Sequence, residues 1–241
     1  MSGHSKWNNI KHKKEKSDAA KAKIFTKIGK EMAVAIKAGG PDPAVNGKLR
    51  DLIAKAKANN VPNDNIQRTI KKFSDNSDIT YEEITYEGYG PSGVAIIVET
   101  STDNRNRTAG NVRAWFSKYG GNMGQNGCVG YLFEEKGVIT VIDEDEEIDE
   151  DKFMEDALEA GAEDFRSDEG EYTIYTAPAD LDAVCEKIMA LGYKIDTADV
   201  AKVPSTYVTL ENQDDIDNME KMLDKFNEDD DVNAVYHNWD N

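Results

Sequence analysis

The sequence predicts an α+β protein that joins an N-terminal three-helix bundle, a split α+β domain and an inserted ferredoxin-like βαββαβ domain. Apolar residues recur with a helical period up to Phe73, and the period becomes two after a polar linker. Further along, the element order βαββαβ is that of ferredoxin-like domains. We therefore expect a basic arm and helical bundle at 1–76, a discontinuous α+β domain at 77–134 plus 205–241, and an acidic inserted domain at 135–204.

The first predicted helix begins at an N-cap formed by Ser17 and Asp18 and ends near Ala38, before a Gly/Pro-rich break. One face is apolar and is expected to be core: Ile24, Phe25, Ile28, Met32, Ala35 and Ile36. The opposite face is predicted to be a row of ammonium groups: Lys23, Lys27, Lys30 and Lys37.

Two shorter amphipathic helices complete the predicted bundle. The second covers about Asn46–Asn59, and the third opens with a capping box made by Asp64 and Gln67. Helices with such brief connections pack as a small bundle.

The rest of the chain alternates short strands with helices. We predict strands at 80–87 and 93–100, a helix at 104–119 and a strand at 128–133. The insert is predicted as a strand at 137–142, a helix at 149–160, strands at 164–168 and 171–176, a helix at 180–190 and a strand at 194–202. A helix at Asp214–Phe226 and a strand at Val232–His237 close the chain.

Charge is distributed very unevenly along the 241 residues. The net charge is −18, but residues 1–75 hold 15 Lys and 2 Arg against 7 acidic residues, which is a net charge of +10. The remaining residues carry −28. This asymmetry indicates a basic module that binds a polyanion, attached to an acidic body.

The first sixteen residues carry most of the functional signal, because their cationic side chains surround one aromatic residue, Trp7. Trp7 either stacks on an unpaired base or packs into the bundle. Lysine supplies point charge and favours recognition of shape or backbone over base readout. The residues predicted to bind nucleic acid are Lys6, Trp7, Lys11, His12, Lys13, Lys14, Lys16, Lys23, Lys27, Lys30 and Arg50.

Three further motifs lie beyond the bundle. Arg105 and Arg107 sit at a strand-to-helix junction, where they either bind phosphate or pair with neighbouring carboxylates. The glycine-rich run at 120–127 lacks the Lys-Ser/Thr ending of a P-loop and is predicted to be a flexible connection and a contact surface. The GxGxxG at 88–93 precedes a β-branched strand instead of a helix, which predicts a hairpin turn and not a dinucleotide site.

No arrangement of residues in the sequence indicates a catalysed reaction. The three histidines lack metal-ligand spacing, and neither Cys128 nor Cys185 has a companion motif, so we expect no catalytic residue, metal or cofactor and no small-molecule substrate. Because the sequence shows no signal peptide and no membrane span, we expect a cytoplasmic protein. Two rival functions stay open: an enzyme using an inter-domain cleft around Arg105 and Arg107, and a protein adaptor acting through its acidic domains.

Several short motifs resemble one known family along almost the whole chain. They are Gly3–Trp7, Asn9–Lys14, Lys23–Lys27, Gly39-Gly40, Asp42-Pro43, Asn46, Leu49-Arg50, Tyr86–Pro91, Thr102–Thr108 and Phe116–Lys118. In this order they are similar to the YebC/PmpR proteins, which include the mitochondrial translational activator of cytochrome oxidase.

The resemblance implies the three domains described above and two alternative functions. Family members are described as transcriptional regulators that bind promoter DNA, and as ribosome-associated factors that help translation through difficult stretches such as consecutive prolines. Under the second description, residues 3–14 would contact ribosomal or transfer RNA. Backbone electrostatics serve either polymer, whereas lysine point charges beside an aromatic residue favour irregular RNA.

Overall fold

Three helices open the computed structural model, which describes residues 18–74, 80–143, 147–168 and 170–240. They are α1 (Asp18–Gly39), α2 (Gly47–Ala58) and α3 (Asn63–Ser74). Their apolar faces meet in one buried cluster that includes Ile28, Met32, Ile36, Leu49, Leu52 and Ile66. The predicted helical bundle is confirmed, because the 3.6-residue periodicity places these side chains on facing sides.

Hydrogen bonds at the connections define where α2 and α3 begin. Asn46 caps α2 by accepting a hydrogen bond from the Leu49 N–H at 3.1 Å, and its amide donates to the Ala35 carbonyl at 2.8 Å. The bounds of α3 differ from the prediction, because the Pro62 carbonyl accepts the first helical hydrogen bonds and the helix begins at Asn63. Asp64 therefore lies inside the first turn, and the predicted capping box is wrong.

The first sheet has four strands and packs against two helices. Its elements are β1 (Glu82–Tyr89), β2 (Ala95–Thr102), α4 (Arg105–Lys118), β3 (Asn122–Met123), α7 (Gln213–Glu228) and β8 (Val232–His237), with the strand order β3-β1-β2-β8. The hairpin predicted at 88–93 is confirmed, because β1 and β2 pair antiparallel across it. Phe116 of α4 packs against Phe226 of α7, with ring centroids 5.2 Å apart.

The strand predicted at 128–133 is wrong. Residues Gly130–Leu132 form a short 3-10 turn, and the next strand begins at Phe133. The backbone N–H groups of Gly127, Val129 and Gly130 donate to the Glu87 carboxylate, so they are not available to a strand ladder.

The second sheet also has four strands, and all its neighbouring strands are antiparallel. Its elements are β4 (Phe133–Ile142), α5 (Glu150–Ala160), β5 (Asp164–Asp168), β6 (Glu171–Thr176), α6 (Leu181–Ala190) and β7 (Thr197–Pro204), with the strand order β5-β6-β4-β7. This is the ferredoxin-like arrangement that the sequence predicts. Both helices contribute to a core that includes Ile139, Phe153, Ile174 and Ile188.

The described residues divide into two compact units. One contains residues 18–130 and 210–237, and the other contains residues 131–209 and 238–240. The bundle and the first sheet thus share a unit, while the division into three domains stays a prediction. Among the described helices, none combines the length and the hydropathy that crossing a membrane requires.

Candidate nucleic-acid interface

The predicted cationic arm lies outside the described residues. It comprises Lys6, Trp7, Lys11, His12, Lys13, Lys14 and Lys16. Nucleic-acid contact by these seven residues stays a prediction.

The lysines of α1 contact the C-terminal end of α7. Lys23 Nζ donates to the Glu228 carbonyl at 3.2 Å, and Lys27 Nζ donates to the Asn227 carbonyl at 3.2 Å. Carbonyl groups in the last turn of a helix have no partner within the helix and carry partial negative charge, so ammonium groups stabilise them. Lys23 and Lys27 of the lysine face are therefore engaged with another helix, and Lys37 donates to Thr80 Oγ1 at 2.7 Å.

Lys30 has a side chain that is only 12% exposed. Its ammonium donates to the Asp230 carbonyl at 2.8 Å and to Asp231 Oδ1 at 2.6 Å. The sequence does not reveal this ion pair, because its two members lie about 200 positions apart.

Asp231 connects the bundle to the first sheet. Its side chain is 5% exposed, and besides Lys30 it accepts from Arg107 Nη2 at 2.6 Å and Thr108 Oγ1 at 2.8 Å. Burial alone would raise the pKa of Asp231, but hydrogen bonds from Arg107, Lys30 and Thr108 outweigh that effect and lower the pKa to about 2. Asp231 is therefore a charged structural link.

The arginines of α4 divide into two classes. Arg107 also bonds Asp103 Oδ1 at 2.9 Å, so it pairs with two carboxylates. Arg105 and Arg113 are exposed, and neither forms a hydrogen bond or ion pair with another described residue. Of the two predicted alternatives, pairing with carboxylates holds for Arg107, and phosphate binding stays open for Arg105.

The bundle also exposes cations on α2 and α3. Arg50 has a single weak pair, with Asp51 at 3.9 Å, and both side chains are well exposed. Lys57, Arg68 and Lys71 are exposed without an ion pair among the described residues. These three are not among the residues predicted to bind nucleic acid, although they belong to the same basic segment and lie away from the apolar faces.

The glycine-rich connection after α4 is held in place by one buried carboxylate. Glu87 accepts the N–H groups of Gly127 at 2.8 Å, Val129 at 2.9 Å and Gly130 at 2.7 Å. The Tyr89 hydroxyl donates to the Cys128 carbonyl at 3.1 Å. The connection is thus anchored to β1 instead of being merely flexible, and it exposes Asn122, Gln125 and Asn126.

The described residues offer little for catalysis. Burial raises the pKa of the Cys185 thiol to about 11, and burial together with the Glu87 charge raises the pKa of the Cys128 thiol. Thiolates, the nucleophilic form of cysteine, are therefore disfavoured at both positions. No group of three or more metal-ligating side chains occurs in the part of the chain that the structure describes.

Comparison with known proteins identifies matching domains along the chain. The family model for the TACO1/YebC N-terminal domain matches residues 5–76, and the model for the TACO1/YebC second and third domains matches residues 81–239. A crystal structure of a conserved hypothetical protein from Aquifex aeolicus has a TM-score of 0.80 at 42% identity, covering 92% of this chain and 91% of that one.

Curated relatives cover the chain from end to end. A probable transcriptional regulatory protein of Agathobacter rectalis is 57% identical over 241 residues, which is 100% of both chains. A protein of the same description from Acetivibrio thermocellus is 55% identical over 240 residues, 99% of each chain. These descriptions support a regulator of gene expression.

Proposed function

This chain belongs to the TACO1/YebC family, and we propose that it is a non-enzymatic, cytoplasmic regulator of gene expression that binds the phosphate backbone of RNA through its basic N-terminal segment. The observation that carries the proposal is the contrast between this segment, at +10, and the rest of the chain, at −28. Each ammonium or guanidinium group that replaces condensed counterions on a phosphate backbone contributes affinity.

The described part of the bundle supports the proposal through its exposed cations. Arg50, Lys57, Arg68 and Lys71 are exposed on α2 and α3, where carboxylates do not neutralise them strongly. Lys23 and Lys27 bond carbonyl groups of α7, and Lys30 bonds Asp230 and Asp231. We therefore assign these three lysines a supporting role and leave backbone contact to the arm and to the outer faces of α2 and α3.

The residue types of the arm favour ribosomal RNA as the target. The arm combines lysine point charges with one aromatic residue, Trp7, and single-stranded RNA offers both phosphates and stackable bases. Promoter DNA is the second candidate, because relatives more than 50% identical are described as probable transcriptional regulatory proteins.

Co-sedimentation with ribosomes over a salt series tests the proposal on the full-length protein. The test variant carries alanine at Lys6, Lys11, Lys13, Lys14 and Lys16. The matched control carries Lys152→Ala and Lys194→Ala, two exposed lysines of the acidic insert. Duplex DNA at equal phosphate concentration is added as competitor.

We expect the wild type and the control to sediment with ribosomes in the presence of duplex DNA, and the arm variant to lose most of its binding. The binding constant should fall steeply with salt, since each phosphate contact contributes a slope of roughly 0.7 for single strands. Displacement by duplex DNA overturns the ribosomal target in favour of DNA. Absence of binding to both polymers overturns the nucleic-acid function.

A further inference from the structure

A groove of about 300 Å³ opens on the helical bundle between α1 and α3. That volume is at the lower end of the range of small-ligand sites. The wall on the α1 side is one helical stripe, because its members are spaced three or four positions apart: Phe25, Ile28, Gly29 and Met32. Met32 and Ile66, which also line the groove, are only 2% and 1% exposed, so its base is apolar.

An aromatic ring and a missing side chain shape the α1 wall. Phe25 is only partly buried and lines the groove, although the sequence predicts it for the core face. A Cβ atom added at Gly29 would meet nothing within 4 Å, so packing of the bundle does not require glycine there. Glycine inside a helix lowers stability relative to alanine. Its effect here is to keep the groove open one turn from the Phe25 ring.

The wall on the α3 side carries hydrogen-bonding groups. Asn65 and Arg68 are exposed, and neither side chain bonds another described residue. The Thr69 hydroxyl donates to the Asn65 carbonyl at 2.9 Å, and the Thr26 hydroxyl donates to the Ala22 carbonyl at 3.0 Å, so these hydroxyls keep only acceptor capacity. The groove therefore offers donors from Asn65 and Arg68, and acceptors from Asn65 and the two hydroxyls.

The charge of the groove is positive within an acidic protein. Among the described residues that line it there are one arginine and no carboxylate, whereas the whole chain carries −18. Asp64 lies four positions before Arg68, a spacing at which a carboxylate and an arginine can pair on a helix, yet the two do not bond. The Arg68 guanidinium thus remains available to an anion at the mouth of the groove.

These features together fit an unpaired nucleotide. Its base is a flat ring with both donors and acceptors on its edge, and its phosphate is the anion. Unstacked bases of single-stranded RNA stack on aromatic side chains and form hydrogen bonds through their edges. A bare phosphate would leave the apolar wall unused, and an apolar side chain would leave Asn65 and Arg68 unused. A base inside a duplex is stacked on both faces and cannot enter without being flipped out.

We propose that this groove binds one unpaired base of the RNA whose backbone the basic N-terminal segment holds. The inference rests on the proposed function and adds a base-binding site to it. The base stacks on Phe25, the Asn65 amide bonds its edge, and Arg68 binds the attached phosphate.

Fluorescence anisotropy on full-length protein tests the groove with two labelled strands of ~12 nucleotides, a length within the site sizes of single-strand binders. One strand is single-stranded RNA, and the other has the same ribose-phosphate backbone without bases. Phe25→Leu is the test variant, because it removes the ring and keeps an apolar side chain. Phe73→Leu is the matched control, since Phe73 is a partly buried phenylalanine of the same bundle that does not line the groove.

We expect Phe25→Leu to bind RNA roughly tenfold more weakly than the wild type, the effect of losing one base–aromatic stack. Its affinity for the abasic strand should match the wild type, because that strand has no base to stack. Its salt slope should also be unchanged, because no charge is removed. Phe73→Leu should bind both strands as the wild type does.

Variants of exposed residues add measurements that do not depend on core packing. Asn65→Ala should lower affinity for RNA alone by roughly fivefold, the effect of one hydrogen bond, whereas Asn63→Ala, at an exposed amide outside the groove, should not. Arg68→Gln should weaken binding to both strands equally and reduce the salt slope by about 0.7, because both strands carry phosphates.

Trp7 of the chain itself is the alternative occupant of the groove. Thermal unfolding without RNA separates the two occupants. We expect Trp7→Ala to change the unfolding midpoint by the same amount in the wild-type and Phe25→Leu backgrounds. A drop in the midpoint that occurs in the wild-type background and is absent with Phe25→Leu would place Trp7 in the groove and overturn the inference.

The binding measurements can also overturn it. An equal loss on both strands for Phe25→Leu, or an equal loss of RNA affinity for Phe25→Leu and Phe73→Leu, removes the base-binding site. A wild type that binds the two strands equally well removes this inference and retains the proposed function. A wild type that binds neither strand removes both.

Discussion

At the scale of single residues, Asp231 joins the basic segment to α4 through ion pairs with Lys30 and Arg107. A buried carboxylate is unfavourable by itself, but Lys30, Arg107 and Thr108 each supply a short hydrogen bond to it. Lys30 lies on α1 and the other two partners on α4, both far from Asp231 in the sequence, so the link is not evident until the chain is folded. Loss of this one carboxylate leaves the nearly buried Lys30 without its counter-charge.

We predict that Asp231→Asn lowers the free energy of unfolding by about 3 kcal/mol at neutral pH, as expected when one partner of a buried ion pair is removed. The folded-state pKa of Asp231 is lowered from 3.8 to about 2, so its contribution is complete above pH ~4 and disappears as the pH falls through ~2. Urea unfolding of both proteins measured from pH 6 to pH 2 checks this. A difference that grows towards low pH would contradict it, and Asp103→Asn, at an exposed partner of Arg107, is the control.

At the scale of elements, the glycine-rich connection depends on β1. Glu87 supplies one carboxylate to three backbone N–H groups, and this pattern replaces a strand ladder. The residues after α4 also approach β1 closely: a Cβ atom at Gly121 would lie 2.5 Å from the Tyr89 carbonyl oxygen. The amide side chains of Gln125 and Asn126 are thereby presented from a fixed backbone.

We predict that Glu87→Gln lowers the free energy of unfolding by about 2 kcal/mol. The NH₂ group of glutamine would face backbone N–H groups that now donate to a carboxylate oxygen, and those N–H groups would lose their acceptor. Hydrogen exchange should accelerate at Gly127, Val129 and Gly130 more than in the ferredoxin-like sheet. Glu83→Gln, at an exposed partner of Lys48, is the matched control and should change neither quantity appreciably. Unchanged protection at the three amides would show that Glu87 does not hold the connection.

Element type was predictable where periodicity was strong, and contact partners were not. The helices α1, α2 and α4 and the strands β5, β6 and β8 lie where the apolar pattern places them, since that pattern is local. The strand predicted at 128–133 failed because its donors bond Glu87, 40 or more positions earlier. The partners of Lys23 and Lys27 could not be predicted for a similar reason, because the carbonyl groups of α7 come 200 or more positions later.

In the candidate site, too, the sequence predicted residue types and helix positions but not contact partners. Arg105 and Arg107 were indistinguishable in the sequence, which showed two arginines near a helix start. Asp231, 124 positions after Arg107, separates them by pairing with one alone.

At the scale of the whole molecule, the separation of charge limits how the protein meets a long polyanion. The basic segment attracts any phosphate backbone, while an acidic body with net charge −28 repels it. Exposed carboxylates on α5 and α6, among them Glu155, Glu159 and Glu186, contribute to that repulsion. We infer that the acidic insert suppresses indiscriminate binding to duplex DNA and so favours targets that engage the basic segment alone.

Glu155→Gln, Glu159→Gln and Glu186→Gln together should therefore raise affinity for random-sequence duplex DNA by roughly threefold at 50 mM salt, and the gain should vanish near 0.5 M salt, where the Debye length is short. The charge-conserving triple variant with aspartate at the same positions should bind as the wild type does. Filter binding at both salt concentrations measures the effect. An equal gain in affinity for the aspartate variant would assign the gain to altered packing of the insert. Because three fewer negative charges must weaken any long-range repulsion, no gain in either variant would show that the acidic charge does not act on nucleic acid.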